Sequence, residues 1–227
     1  MSPDTKTREL FQALVSKATL KQNVYQNTLN TLKLLKEGIV SLSEIYYKMD
    51  SEEAKKIPFT YKDRSEFEAE LKFGGDTLVY MMHTNVFEFP RGHEVIKTPY
   101  VQEDKNRSYC GIINIFNFLS DSFKYNRLND IGYLIGRIFI NKDNHYFIEG
   151  KRELGFLYSN FGSSVMDKNS VAEILESSIY YTINFDLLTP PYDQVKEVSV
   201  MEFKTAMDSM QIRTGKRLGF RFQADLK

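Results

Sequence analysis

The chain contains one cysteine, Cys110, so no disulfide can form within it, and a reducing compartment is the expected setting. No apolar run approaches the roughly 18–20 residues that a membrane span needs. The opening Met1-Ser2-Pro3-Asp4-Thr5-Lys6 lacks the charged-then-apolar pattern of a signal peptide. A cytoplasmic protein with no membrane partner is therefore expected. Charge of either sign is also missing in excess: 30 Lys+Arg balance 30 Asp+Glu, which removes any chain-wide attraction to nucleic acid or anionic lipid. There is no Gly-rich phosphate loop ending in Lys-Ser or Lys-Thr, no paired-Cys signature, no zinc-protease His pair and no nucleophile elbow. The families those motifs identify are excluded, and neither a cofactor nor a metal is expected.

The composition is otherwise that of a globular chain, with 17 Phe and 14 Tyr but no Trp, so the expected core is built of rings. The first fifty residues carry a seam of alternating three- and four-residue steps: Phe11, Leu14, Ala18, Lys21, Tyr25, Thr28, Leu32, Leu35, Ile39, Leu42, Tyr46, Met49. Only Lys21 and Thr28 spoil it, and Gly38 weakens it. One continuous helix over residues 4–49 would be about 65–70 Å long. The other solution is two shorter helices, broken between Thr19 and Asn27 and packed on the chain's own sheet. The pair is favoured here, because globular helices are usually short. The long helix would make a homodimer through Leu32, Leu35, Ile39 and Leu42.

Residues 50–64 are charged and contain Pro58, which reads as a linker. The period then changes to two. Phe67 to Phe73 and Thr77 to Met82 flank Gly74-Gly75-Asp76, a hairpin pattern. Residues 90–108 read as a long loop with a short strand at Glu94–Lys97. Residues 110–124 read as a helix, from apolar residues in pairs at three-residue spacing. Tyr133–Ile140 and Tyr146–Glu149 form a second hairpin around Asn141-Lys142-Asp143-Asn144. A helix capped by Asn169 or Ser170 runs to Ser178. Tyr180–Leu187, Val198–Phe203 and Arg217–Phe222 are further strand candidates. The fold class is thus α+β: a helical region over 1–55, then an antiparallel-sheet domain over 56–227 with one or two covering helices.

Several residue groups could carry chemistry. His83 and His93 with Glu88 or Glu94 would make a metal site, but their spacing is not diagnostic. Glu70-x-Lys72 and Glu149-x-Lys151, with Asp143 upstream of the second, match the arrangement of some magnesium-dependent nucleases, and also simple cross-strand charge balance. Arg213, Lys216, Arg217 and Arg221 beside Phe220 and Phe222 could stack on and neutralise single-stranded nucleic acid, but their period of two points to core-facing rings. Nothing beside Cys110 would activate its thiol. The 91–109 segment is the richest, and Arg91, His93, Tyr100, Arg107 and Tyr109 are the candidate ligand-binding residues. The expected function is a binding or sensory module for a small ligand or protein partner, without nucleic acid. The alternative is a metal-dependent hydrolase acting on phosphodiesters.

Overall fold

A computed structural model of the chain describes residues 3–128, 130–150, 154 and 160–209. The N-terminal seam folds as one unbroken helix, α1 (Pro3–Tyr47), 45 residues long. The favoured break near Thr19–Asn27 is absent, because the polar residues there are accommodated without unwinding. Thr28 donates its hydroxyl to the Val24 carbonyl at 2.7 Å. The Asn27 amide donates to the carbonyls of Asn141 and Lys142 at 3.0 and 2.9 Å.

The segment read as a linker contains a strand, β1 (Phe59–Ser65). Phe59 and Tyr61 alternate with Thr60 and Lys62, and the strand pairs with the next one in antiparallel register. The expected hairpin follows as β2 (Glu68–Phe73) and β3 (Asp76–Met82), turning at Gly74 with φ +53°. A left-handed φ of this kind is why glycine stands there. After the two-residue β4 (Phe87–Glu88), the expected loop condenses into α2 (Glu94–Lys97), α3 (Pro99–Glu103) and a 3-10 turn over Lys105–Ser108. The strand expected at Glu94–Lys97 is thus a helical turn, capped by His93, whose side chain accepts from the Val95 amide.

The helix expected over 110–124 is mostly a strand, β5 (Tyr109–Leu119), followed by the short α4 (Ser120–Lys124). Both faces of β5 bear apolar residues, so its sequence lost the alternation that marks a half-buried strand. The second hairpin forms as expected, with β6 (Tyr133–Asn141) and β7 (Tyr146–Gly150). The following helix, α5 (Lys168–Ile183), is capped by Asp167 and runs past Ser178, absorbing residues expected to start a strand at Tyr180. The short α6 (Tyr192–Val195) precedes α7 (Val200–Ser209), a helix where a strand was expected. The strand expected at Arg217–Phe222 lies outside the described residues.

The architecture is α+β: a long N-terminal helix, then a seven-stranded antiparallel sheet of order β1-β2-β3-β5-β6-β7, with β4 pairing beside β5. The lower half of α1, together with α5, covers one face. Leu29, Leu32, Leu35 and Ile39 join Leu71, Leu78, Tyr80, Ile113, Ile138 and Leu175 in one core. Leu32, Leu35 and Ile39 are fully buried there and Leu42 packs half-buried against it, so the side chains expected to form a dimer seam are consumed within the chain. On the other face, Val95, Val101, Phe89 and Phe161 cover Cys110, Phe139 and Phe147. The helix crosses β5 closely at Gly111, where any Cβ would lie 2.8 Å from Thr28 Cβ. Among the described residues no helix is long and apolar enough to cross a membrane.

Candidate functional site

The five sequence-selected residues are distributed over separate places. Tyr100 and Arg107 do come together. The Arg107 guanidinium lies 4.3 Å over the Tyr100 ring and donates to the Tyr100 carbonyl at 2.7 Å. It also meets Glu103 at 2.8 Å and Asp143 at 3.1 Å. The Tyr100 ring also stacks on His145 with centroids 4.8 Å apart. Its hydroxyl donates to Asp143 and accepts from the Asn141 amide at 2.9 Å. Lys142 adds contacts at 3.0 Å to both Asp104 and Asp143.

The electrostatics of this cluster are closed on themselves. Burial works to raise the Asp143 pKa, but hydrogen bonds and charge from Lys142, Arg107 and Tyr100 outweigh it and hold the carboxyl below its ordinary value. The Tyr100 phenol is pushed up, chiefly by burial. Arg107 faces two carboxylates, so it offers little unbalanced charge to an anionic ligand. The arrangement fastens the 94–108 segment to the β6–β7 turn, and Asn27 fastens that turn to α1.

His93 belongs to a second group. Its Nδ1 accepts from the Val95 amide at 3.2 Å, and its Nε2 lies 3.3 Å from Glu149. A neutral ring carrying its proton on Nε2 satisfies both contacts, which engages both nitrogens. Glu149 is also paired with Arg137 across the β6–β7 ladder. Tyr109 forms a third group: its hydroxyl donates to Glu88 and accepts from Lys17 of α1. Arg91 is exposed in the turn before α2.

The residues of the hydrolase reading are similarly occupied. Glu70 is ion-paired with Arg64, Asp143 is held as described, and Lys151 lies outside the described residues, as do Arg213 to Phe222. His83 accepts from the Asn85 amide at 3.0 Å. Among the described residues no three His, Cys, Asp or Glu side chains gather as a metal would require. Cys110 is buried, and burial pushes its thiol pKa up, which disfavours the thiolate that a nucleophile needs.

Two features escaped the residue-by-residue reading. Asn117, Tyr133 and Thr182 each bury a side-chain polar atom without a protein partner among the described residues. Asn117 and Tyr133 stand opposite each other on β5 and β6. The signal in sequence was Asn117 standing, like Asn114, inside an Ile/Phe run.

The second feature is larger. Residues 4–19 of α1 are exposed throughout, and burial starts at Leu20. This projecting stalk, about 24 Å long, carries Leu10, Phe11, Leu14 and Val15 at 64, 57, 60 and 62% exposure. At its base lies an open groove of about 840 Å³ between α1 and the β3–β4 connection, lined by Lys21, Gln22, Tyr25, Gln26, Asn85 and Phe87 among others. Among the described residues no carboxylate lines it. Compared with known proteins, the chain matches no family model, no curated protein and no solved structure at a significant level.

Proposed function

We propose that this chain is a non-enzymatic binding module that grips a protein partner through the projecting N-terminal third of α1, with the sheet as its rigid base. The observation that carries the reading is the run of four large apolar side chains on a stalk that touches little of its own chain. A short helix in water is marginal without a packed face. Contiguous exposed apolar surface on a soluble chain marks a contact site. Lys17, anchored on Tyr109, fixes where the stalk leaves the body. The polar clusters around Arg107 and Glu149 fit this reading as internal fasteners, since each charge in them has an opposite charge beside it. The hydrolase alternative gains no support from carboxylates that are already ion-paired.

The test is a photo-crosslinking amino acid placed at Leu14 or at Glu9 of the full chain, expressed in the cells it comes from. A defined polypeptide adduct from position 14, absent from position 9 on the far side of the helix, is the expected result. No adduct from either position would remove the reading.

A further inference from the structure

We propose that the partner is a second copy of this chain, bound by antiparallel pairing of the two stalks; this rests on the reading of the stalk as a protein contact. The seam positions on the projecting segment are Asp4, Thr7, Phe11, Leu14, Ala18 and Lys21. In an antiparallel pair of helices each position of one type faces the other type on the partner. When the residue numbers of facing positions sum to 25, Phe11 meets Leu14 twice at the centre and Thr7 meets Ala18 on either side. Asp4 then meets Lys21 at both ends.

Every facing pair is therefore apolar with apolar, small with small, or acid with base. On the flanks, Leu10 lies near the aliphatic stem of the partner's Lys17, and Val15 near that of its Arg8, so no like charges oppose. Sliding by one heptad in either direction buries Lys21 against Phe11 or Asp4 against Leu14. The parallel, in-register pair sets Asp4 against Asp4 and Lys21 against Lys21. Charge complementarity thus selects one orientation and one register. The Asp4–Arg8 pair within each helix is highly exposed and spaced at 3.4 Å, so it yields easily to the new partner.

Two further observations agree with this geometry. The exposed run over residues 4–19 carries five of the six paired seam positions, and the sixth, Lys21, is itself exposed. The groove lined by Lys21, Gln22 and Tyr25 then receives the partner's Asp4 turn, which brings an acid to a groove lined by a lysine and no carboxylate. The contact would bury about 1,000 Å² in total, at the low end for a specific interface, so dissociation in the micromolar range is expected.

Light scattering coupled to size exclusion, on the full chain across about 1–200 µM, should show a monomer–dimer equilibrium. Leu14→Asp should leave a monomer at every concentration. Asp4→Lys or Lys21→Asp alone should weaken the dimer about tenfold, and the double variant should recover it. In a disulfide test, a mixture of Asp4→Cys and Lys21→Cys chains should cross-link to each other, while neither alone does so. A monomer throughout, a dimer indifferent to Leu14→Asp, or cross-links within each single variant would each overturn the proposal. The crosslinker at Leu14 separates the two failures. An adduct with a different polypeptide rejects the second copy and keeps the binding reading, while no adduct rejects both.

Discussion

Gly111 sits on β5 directly beneath Thr28 of α1, and replacing it with alanine tests whether the helix rests on bare backbone there. The new Cβ would lie 2.8 Å from Thr28 Cβ and 2.9 Å from its Cγ2, with Oγ1 nearer still. Rotating the Thr28 side chain can move Oγ1 and Cγ2, but its Cβ is fixed to the helix. Ordinary carbon contact is about 3.6 Å, so α1 must rise by roughly 0.8 Å. A gap of that size forfeits a quarter to a half of each dispersion contact around the crossing, where Val24 and Leu32 are fully buried. Overpacking of this kind costs about 2–4 kcal/mol, offset by up to about 1 kcal/mol from alanine's smaller backbone entropy. The net loss of about 2–3 kcal/mol should lower the urea midpoint by roughly 1 M. Thr28→Gly in the same chain should recover most of the loss, because it removes the fixed Cβ. Thr28→Ala should recover less. An unchanged midpoint for Gly111→Ala, or full recovery by Thr28→Ala, would refute the reasoning.

Gly38→Ala presents a contrasting case, since its Cβ would meet only the Leu175 Cδ1 and Val171 Cγ1 side-chain ends at 2.7 and 3.3 Å. A helix-propensity gain of about 1 kcal/mol should leave its urea midpoint near wild type. Tyr80 and Ser178 are hydrogen-bonded at 2.6 Å in the core, and Ser178 also donates to the Leu175 carbonyl. Ser178→Ala strands the buried phenol and should cost about 1–3 kcal/mol in thermal unfolding, more than Tyr80→Phe, which leaves Ser178 bonded. The carboxyls of Asp143, Asp104 and Asp167 are all held below their ordinary values, the last two chiefly by backbone N–H donors. A depressed folded pKa contributes stability that is present above the unfolded value, about 3.9, and is lost as pH falls through the folded one. Melting temperature should thus fall as pH drops below about 4, and Asp143→Asn should lessen that fall.

How much of this was legible in the sequence depends on how each element is buried. The β6–β7 hairpin, apolar on both faces, was readable from the Asn-rich turn between its two runs, and β2–β3 from its Gly-Gly turn and from Ala69, Leu71 and Phe73 alternating with charged residues. The period of two survives when only one face is apolar. β5 was misread because Cys110 and Ile112 meet one cover while Ile113 and Ile115 meet another. A strand sandwiched on both sides loses its alternation, and periodicity alone cannot separate it from a helix. β1 was hidden for the opposite reason: as an edge strand it carries Lys62, Asp63 and Arg64, the charges that keep an edge from aggregating and that also resemble a linker. The site residues were chosen for their chemistry, but distance in the fold separated His93, Tyr109 and Arg91 from the Tyr100–Arg107 pair. No local signal reports that an arginine's carboxylate partner lies 36 residues away at Asp143.

The two residues that spoil the seam, Lys21 and Thr28, acquire a common explanation once the helix is seen against the sheet. Thr28 is polar because its side chain must be short where α1 meets Gly111, and its hydroxyl is satisfied by Val24 within the helix. Lys21 is charged because the helix has only just left the sheet there, and it stands at the mouth of the groove. Below Thr28 the seam faces the chain's own β-strands, and above Lys21 it faces outward. A seam that served only the intrachain core would have no reason to continue as Ala18, Leu14 and Phe11 over four further turns of exposed helix. Its continuation in phase, past the point where the sheet stops, is what a single helix requires when one stripe must satisfy two successive interfaces. Substituting the upper stripe should therefore change association without changing unfolding midpoint, and substituting the lower stripe should do the reverse. Leu14→Asp and Leu35→Ala, measured side by side by light scattering and urea unfolding, would expose the division. Leu35→Ala should cost about 2–5 kcal/mol of stability while Leu14→Asp leaves the urea midpoint of the monomer unmoved. A stability loss of comparable size at Leu14 would mean that the upper stripe packs on this chain's own body, and the two-interface account of the seam would fail.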